Sequence, residues 1–235
     1  MIGSLPTHVS IVFVLTTLAA IGFVFAAVRP AGRDTLPIKL ITFYIPFWLV
    51  LTGILAVAGF YREFDVFPPR VAVLGVLPTA VVLLGCLFLF RRQLVERVSL
   101  RALTMLHVVR LPVEIVLLWL FQGGLVPREM TFEGWNFDIL SGLTAPIVYW
   151  LAFRRGATNR PLLIGWNVAA LLLLANIVTI AILSFRSPMQ QVGFDQPNVG
   201  VTYLPFIWLP ALVVPIVLFA HVASLMQILG RGRRA

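Results

Sequence analysis

The sequence predicts an all-α membrane protein, a bundle of seven transmembrane helices, and three observations predict it. The 235-residue chain is 60% hydrophobic and only 11% charged, with a mean hydropathy of +0.99. A soluble domain of this length has no interior large enough for so much apolar side chain, so the bilayer has to be its solvent. Apolar stretches of about 20 residues, the length that crosses roughly 30 Å of hydrocarbon, recur near 8–28, 38–60, 71–90, 100–121, 137–153, 161–185 and 203–229. The third observation is charge, which collects in every second connection. Strand periodicity is missing, which argues against an outer-membrane barrel. The chain therefore reads as a single domain over 1–235.

The spans follow in order. Span 1 is preceded by "MIGSLPTH", which has no basic leader, and is followed by arginines. That pattern fits a retained anchor better than a cleaved signal peptide. Spans 1 to 3 contain little but apolar, Gly, Thr and Pro residues, and read as packing and lipid-facing surface. Cys86, the single cysteine, sits in the apolar "LLGCLFLF" and reads as a core thiol. From span 4 onward polar residues appear in or beside every span: His107, Arg110 and Glu114, then Asp138, Ser141 and Thr144, then Asn167 and Asn176, then His221 and Ser224. Span 5 is short. Either its helix begins nearer Gly134 and draws Asn136 and Asp138 into the membrane, or these residues cap a short helix. Both versions place Asp138 at a helix N-terminus, where a carboxylate is favoured. Span 7 carries Pro205, Pro210 and Pro215 in "LPFIWLPALVVP". Prolines at 46, 78, 112 and 146 also interrupt spans. Each frees a carbonyl that a side chain, water or neighbouring helix must meet.

The net charge of +9 would suggest nucleic acid if it were not so distributed. Arg29, Arg33, Asp34 and Lys39 join spans 1 and 2. Arg91, Arg92, Glu96, Arg97 and Arg101 join spans 3 and 4, and Arg154, Arg155 and Arg160 join spans 5 and 6. Arg231, Arg233 and Arg234 close the chain. All four regions are net positive. The alternate connections hold Arg62, Glu63, Asp65, Arg70, Arg128, Glu129, Glu133, Asp138, Arg186 and Asp195, and taken together are net negative. The positive-inside rule then places the N-terminus outside and the C-terminus in the cytoplasm of a bacterial inner membrane. No basic residue is left over to suggest a nucleic-acid partner. The expected partners are the lipid bilayer and a small solute or ion, with association into a homo-oligomer or a membrane complex left open.

His107, Arg110 and Glu114 are three and four residues apart and share one helical face. With Arg101 near the boundary, His107 lies roughly 9 Å inward, and Arg110 and Glu114 lie near the bilayer middle. A charge there costs roughly 2.5–3.5 kcal/mol on insertion scales unless it is paired. Arg110 and Glu114 can pair at i, i+4, and the Val108 carbonyl, left open by Pro112, is another acceptor within reach of Arg110. His221 falls within about one helical turn of His107 in depth. Two histidines at one level could ligate a b-type haem or a metal.

"RALTMLHVVRLPVEIVLLWLF", "MTFEGWNFDILSGLTAP" and "FDQPNVGVTYLPFIWLP" resemble a group of uncharacterised bacterial seven-span integral membrane proteins. The resemblance implies the architecture and adds no activity. A microbial rhodopsin is excluded, because the single lysine, Lys39, lies at the start of span 2 and none lies in span 7. The His and Asp set of seven-span zinc hydrolases and the Pro-Gln signature of small sugar transporters are also missing.

The leading expectation is a transporter, channel or transporter-like subunit with an intramembrane polar chamber, with proton coupling as an option. Arg110 would bind an anionic group or hold Glu114, and Glu114 would carry the proton. Glu133, Asp138 and Asp195 would line the outer mouth, and Asn167, Asn176, His107 and His221 the chamber. One alternative is a redox protein with haem between His107 and His221. A further alternative is a structural or sensory subunit whose ion pair only fixes packing. With no soluble domain large enough for catalysis, the sequence leans against an enzyme without excluding one.

Overall fold

The computed structural model describes residues 5–32, 34–154, 156 and 158–231. Arg33, Arg155, Arg233 and Arg234, which belong to the basic connections, lie outside the described residues. Among the described residues there are seven long helical segments: α1 (Thr7–Val28), α2 (Leu36–Val57), α3 (a π-turn at Ala72–Val76 running into Leu77–Leu89), α4 (Leu100–Gln122), α5 (Ile139–Phe153), α6 (Arg160–Leu183) and α7 (a π-turn at Leu209–Val213 running into Val214–Arg231). Among the described residues there is no strand, only an isolated bridge between Phe185 and Asn198. Six of the helices are long and apolar enough to cross a membrane; α5, at 15 residues, is shorter. Its length of about 22 Å falls short of the roughly 30 Å hydrocarbon layer.

Two helices are enclosed by the rest. In α4 and α7, 61% and 67% of the apolar window is buried, against 28–39% in α1, α2, α3 and α6. α4 packs on α1, α5 and α7, while α7 packs on α3, α4 and α6. α2 turns Phe43, Phe47, Ile54 and Val57 outward. Polar N-caps hold two of the helices. Ser99 Oγ accepts from the Ala102 amide at 3.3 Å ahead of α4, and Asn159 Oδ1 accepts from the Leu162 amide at 3.2 Å ahead of α6.

The prolines set the local geometry. Pro78 has no N–H to give the Leu74 carbonyl, and the Tyr61 hydroxyl donates to it at 3.1 Å. Pro215 likewise leaves the Ala211 carbonyl open, and the Thr79 hydroxyl donates to it at 2.6 Å. With its proton used in this way, Thr79 Oγ1 accepts from the Tyr44 hydroxyl at 3.1 Å. Both helices carry a π-turn ahead of their proline, the usual sign of an interrupted hydrogen-bond ladder. In α4, residues His107–Val109 tighten into a 3-10 turn just before Pro112, which cannot donate to Val108.

Two expected boundaries move. Span 7 begins at Leu209 instead of 203, because the chain from 200 to 207 is a 3-10 turn and further turns around Pro205. Pro210 then falls in the first turn of the helix, where no amide is missed. Span 5 begins at Ile139 instead of 137, in the short-helix version. The residues ahead of it fold as a 3-10 turn at Arg128–Met130 and a tight turn through Gly134. A Cβ at Gly134 would stand 2.3 Å from the Arg128 carbonyl oxygen, so only glycine fits. This segment is tied to the second long loop: the amides of Val199 and Gly200 donate to the Leu125 carbonyl at 3.0 and 2.8 Å. Gln196 Nε2 reaches the carbonyls of Phe121 and Val126. The two loops form one cap over that end of α4.

Candidate functional site

Under that cap, one connected set of polar side chains runs through the enclosed helices. Arg110, on α4, is 2% exposed, and Glu114, one turn further along the same face, is 1% exposed. The partner of Arg110 is Asp138. Nε donates to Oδ2 at 2.6 Å and Nη2 donates to Oδ1, a two-pronged ion pair that locks α4 to the start of α5. Nη2 also donates to the Ala170 carbonyl of α6 at 3.1 Å, and Nη1 lies 3.1 Å from His221 Nε2 on α7. One guanidinium therefore joins four helices.

The rest of the network has a defined direction. Since a guanidinium can only donate, His221 Nε2 accepts, and its Nδ1 carries the proton and donates to Asn167 Oδ1 at 2.9 Å. The Asn167 amide nitrogen donates to the Leu163 carbonyl at 2.8 Å, which fixes the orientation of that side chain. On the other side, Asn136 Oδ1 accepts from the Asp138 amide at 3.0 Å. Asn136 Nδ2 meets both Glu114 oxygens at 2.8 and 2.7 Å and the Met130 carbonyl at 3.0 Å. The chain thus runs Glu114, Asn136, Asp138, Arg110, His221, Asn167.

Close backbone approach makes the pairing possible. A Cβ at Gly142 would lie 2.7 Å from the Leu111 amide nitrogen. α5 therefore touches α4 backbone to backbone, one residue past Arg110 and one turn past Asp138.

Placement against expectation is mixed. His107, Arg110, Glu114, Asp138, Asn167 and His221 all come together. Arg110 and Glu114 share a face of α4, but the ion pair goes to Asp138, and the carbonyl that Arg110 reaches is Ala170 instead of Val108. Asp138 stands at the N-cap of α5 without capping it, because its oxygens serve Arg110. Glu133 and Asp195 are exposed on the loops. Asn176 is exposed on α6, where it donates to the Trp135 carbonyl at 2.8 Å and not into the cluster. Asn136 was missed as a site residue, although its position two residues before Asp138 at a helix start is a recognisable amide turn.

The two histidines do not fit haem. Their rings stack with centroids 4.0 Å apart and planes 24° apart, leaving no gap for a porphyrin between them. Both nitrogens of His221 are engaged as well. No group of three His, Cys, Asp or Glu able to hold a metal occurs among the described residues. His107 is fully buried between His221 and Trp166, its own two nitrogens without a hydrogen bond, as is Ser141 Oγ. Trp166 is fixed through Nε1 to Thr144 Oγ1 at 2.9 Å.

No curated protein and no solved structure matches the chain. Residues 68–229, which take in α3 to α7 and every member of the network, match the family described as a domain of unknown function (DUF8737), and the chain belongs to that family.

Proposed function

We propose that the protein is a multi-pass membrane transport protein, or the transporter-like subunit of one, with Glu114 as the group that takes up and releases a proton. The observation that carries this reading is a charge balance. One guanidinium faces two carboxyl groups, and Asp138 engages it on two prongs. Glu114 keeps only the neutral amide of Asn136 as a hydrogen-bond partner. A proton, or an arriving cation, completes neutrality at Glu114. Intramembrane ionisable groups on enclosed helices mark ion and proton pathways. Glu114 also lies directly beneath the loop cap, on the side from which a solute would enter. The same reading includes seven crossings, with the short α5 extended by the preceding segment 128–138, of which Met130, Thr131, Asn136 and Asp138 are buried in the protein. It places the N-terminus outside, the C-terminus in the cytoplasm, and the chain in a bacterial inner membrane.

The test is proton flux into liposomes loaded with a pH-sensitive dye, after an imposed pH step. Glu114→Gln keeps an acceptor for Asn136 but holds no exchangeable charge, and the expected result is at least about a tenfold slower flux. Wild-type flux in folded Glu114→Gln protein overturns the proposal. A second reading, a structural or sensory subunit, is favoured by the near-complete saturation of the network within the protein. It expects no flux from either form and a stable partner in mild-detergent size analysis.

A further inference from the structure

We propose that the groove between α1 and α2 binds an anionic phospholipid, with its phosphate held by Arg29 and Lys39 and an acyl chain lying along Phe25, Ala26 and Phe43. The groove has a volume of about 610 Å³, and its walls are apolar apart from these two cations and Thr42. Arg29 follows the last residue of α1, and Lys39 lies in the first turn of α2. Phe25 and Phe43 each lie four residues further into their helix, about one turn or 6 Å deeper. Charge at the helix ends with aromatic and aliphatic side chains one turn below matches a phospholipid in cross-section, headgroup above and chain beneath. A free anion would satisfy the cations and leave the apolar walls uncovered.

The two cations are available for this. Both side chains are exposed, and among the described residues neither makes an ion pair or a hydrogen bond. Asp34, in the same connection, does not line the groove. Basic pockets between transmembrane helices at the membrane surface suit acidic headgroups, each Lys or Arg contributing roughly 1 kcal/mol. No residue lining this groove belongs to the Arg110 network, and the site does not depend on the transport reading.

The experiment is native mass spectrometry of the full chain released from mixed micelles of phosphatidylglycerol and phosphatidylcholine at equal concentration. Wild type is expected to retain phosphatidylglycerol preferentially. The Arg29→Ala/Lys39→Ala double variant should lose that preference by about fivefold per cation. Arg92→Ala/Arg160→Ala, which removes the same charge from other exposed positions, should leave it within about twofold. Equal retention of both lipids by wild type overturns the proposal. Equal loss in the two double variants also overturns it, by tracing the effect to general surface charge. Displacement of the lipid by excess inorganic phosphate alone would assign the cations to a free anion. A disulfide-linked dimer through Phe43→Cys that excludes lipid would assign the groove to a second copy. Either result sinks the lipid site.

Discussion

The polar set between α2, α3 and α7 is two hydroxyls and a carbonyl; that between α4, α5, α6 and α7 is a guanidinium, two carboxyl groups, two amides and two stacked imidazoles. Both sets tie helices together where water is scarce. The Tyr44–Thr79–Ala211 chain repairs a defect that Pro215 creates, and nothing in it bears charge. The Arg110 set answers no carbonyl that a proline has freed. It brings its own desolvation cost, offset by the partners that Arg110, Asp138, Asn136, His221 and Asn167 find in one another, while the His107 nitrogens beside them have none. The first set is what proline in a membrane helix requires. The second is more than packing requires, and this difference singles it out as the functional candidate.

The largest effect that can separate the two sets comes from breaking the ion pair. Arg110→Met or Asp138→Leu alone strands a buried charge and is expected to cost about 3–5 kcal/mol. The double variant, apolar on both sides, should regain most of that loss. Unfolding in detergent micelles reads both quantities. If the double variant is no more stable than the worse single one, the pair is not a mutual requirement.

A smaller effect is expected at the hydroxyl tie. Thr79→Val keeps the shape and removes the donor to Ala211, at a cost of about 1 kcal/mol. In a Pro215→Ala background the helix regains its own amide, and the same substitution should then cost close to nothing. An unchanged penalty would show that the hydroxyl does not answer the proline.

An effect of similar size lies outside the spans, at Tyr61. Burial pushes its phenol up from 10.0 to about 12. Because the folded value exceeds the unfolded one, the contribution is constant below pH 10 and is lost as pH rises from 10 to about 12. Tyr61→Phe should cost about 0.5–1.5 kcal/mol at neutral pH and remove that part of the alkaline loss. An identical alkaline profile in wild type and variant would refute the assignment.

The apolar runs and proline positions were legible in the sequence because each reports a local property, helix length or a missing donor. The shared face of His107, Arg110 and Glu114 was also legible, since a helix repeats every 3.6 residues. The partner of Arg110 was not. Spacing alone favours Glu114 at i, i+4, whereas Asp138 is 28 residues away, brought in by the Gly142–Leu111 backbone contact. Nothing in a single sequence marks that glycine as an approach point. Thr79 was hidden for a similar reason. A hydroxyl in an apolar run looks like tolerated polarity until the carbonyl it serves, 132 residues away, is known. Asn136 and Asp138 sit in a loop-like segment, where polar residues are read as solvated; here the loop folds inward and buries them.

The separation between Arg110 and Asp138 also bears on how the protein is made. At about 5–20 residues per second, Asp138 leaves the ribosome about 1–6 s after Arg110. His221, 111 residues behind, follows after about 6–22 s. During that interval α4 carries a guanidinium and a carboxyl group that no later helix yet answers, a segment that the insertion machinery would release into lipid only at a penalty. α4 is therefore expected to wait beside the translocon, or in the keeping of an insertase, until α5 arrives. Order of emergence, as much as hydrophobicity, then decides when this bundle closes.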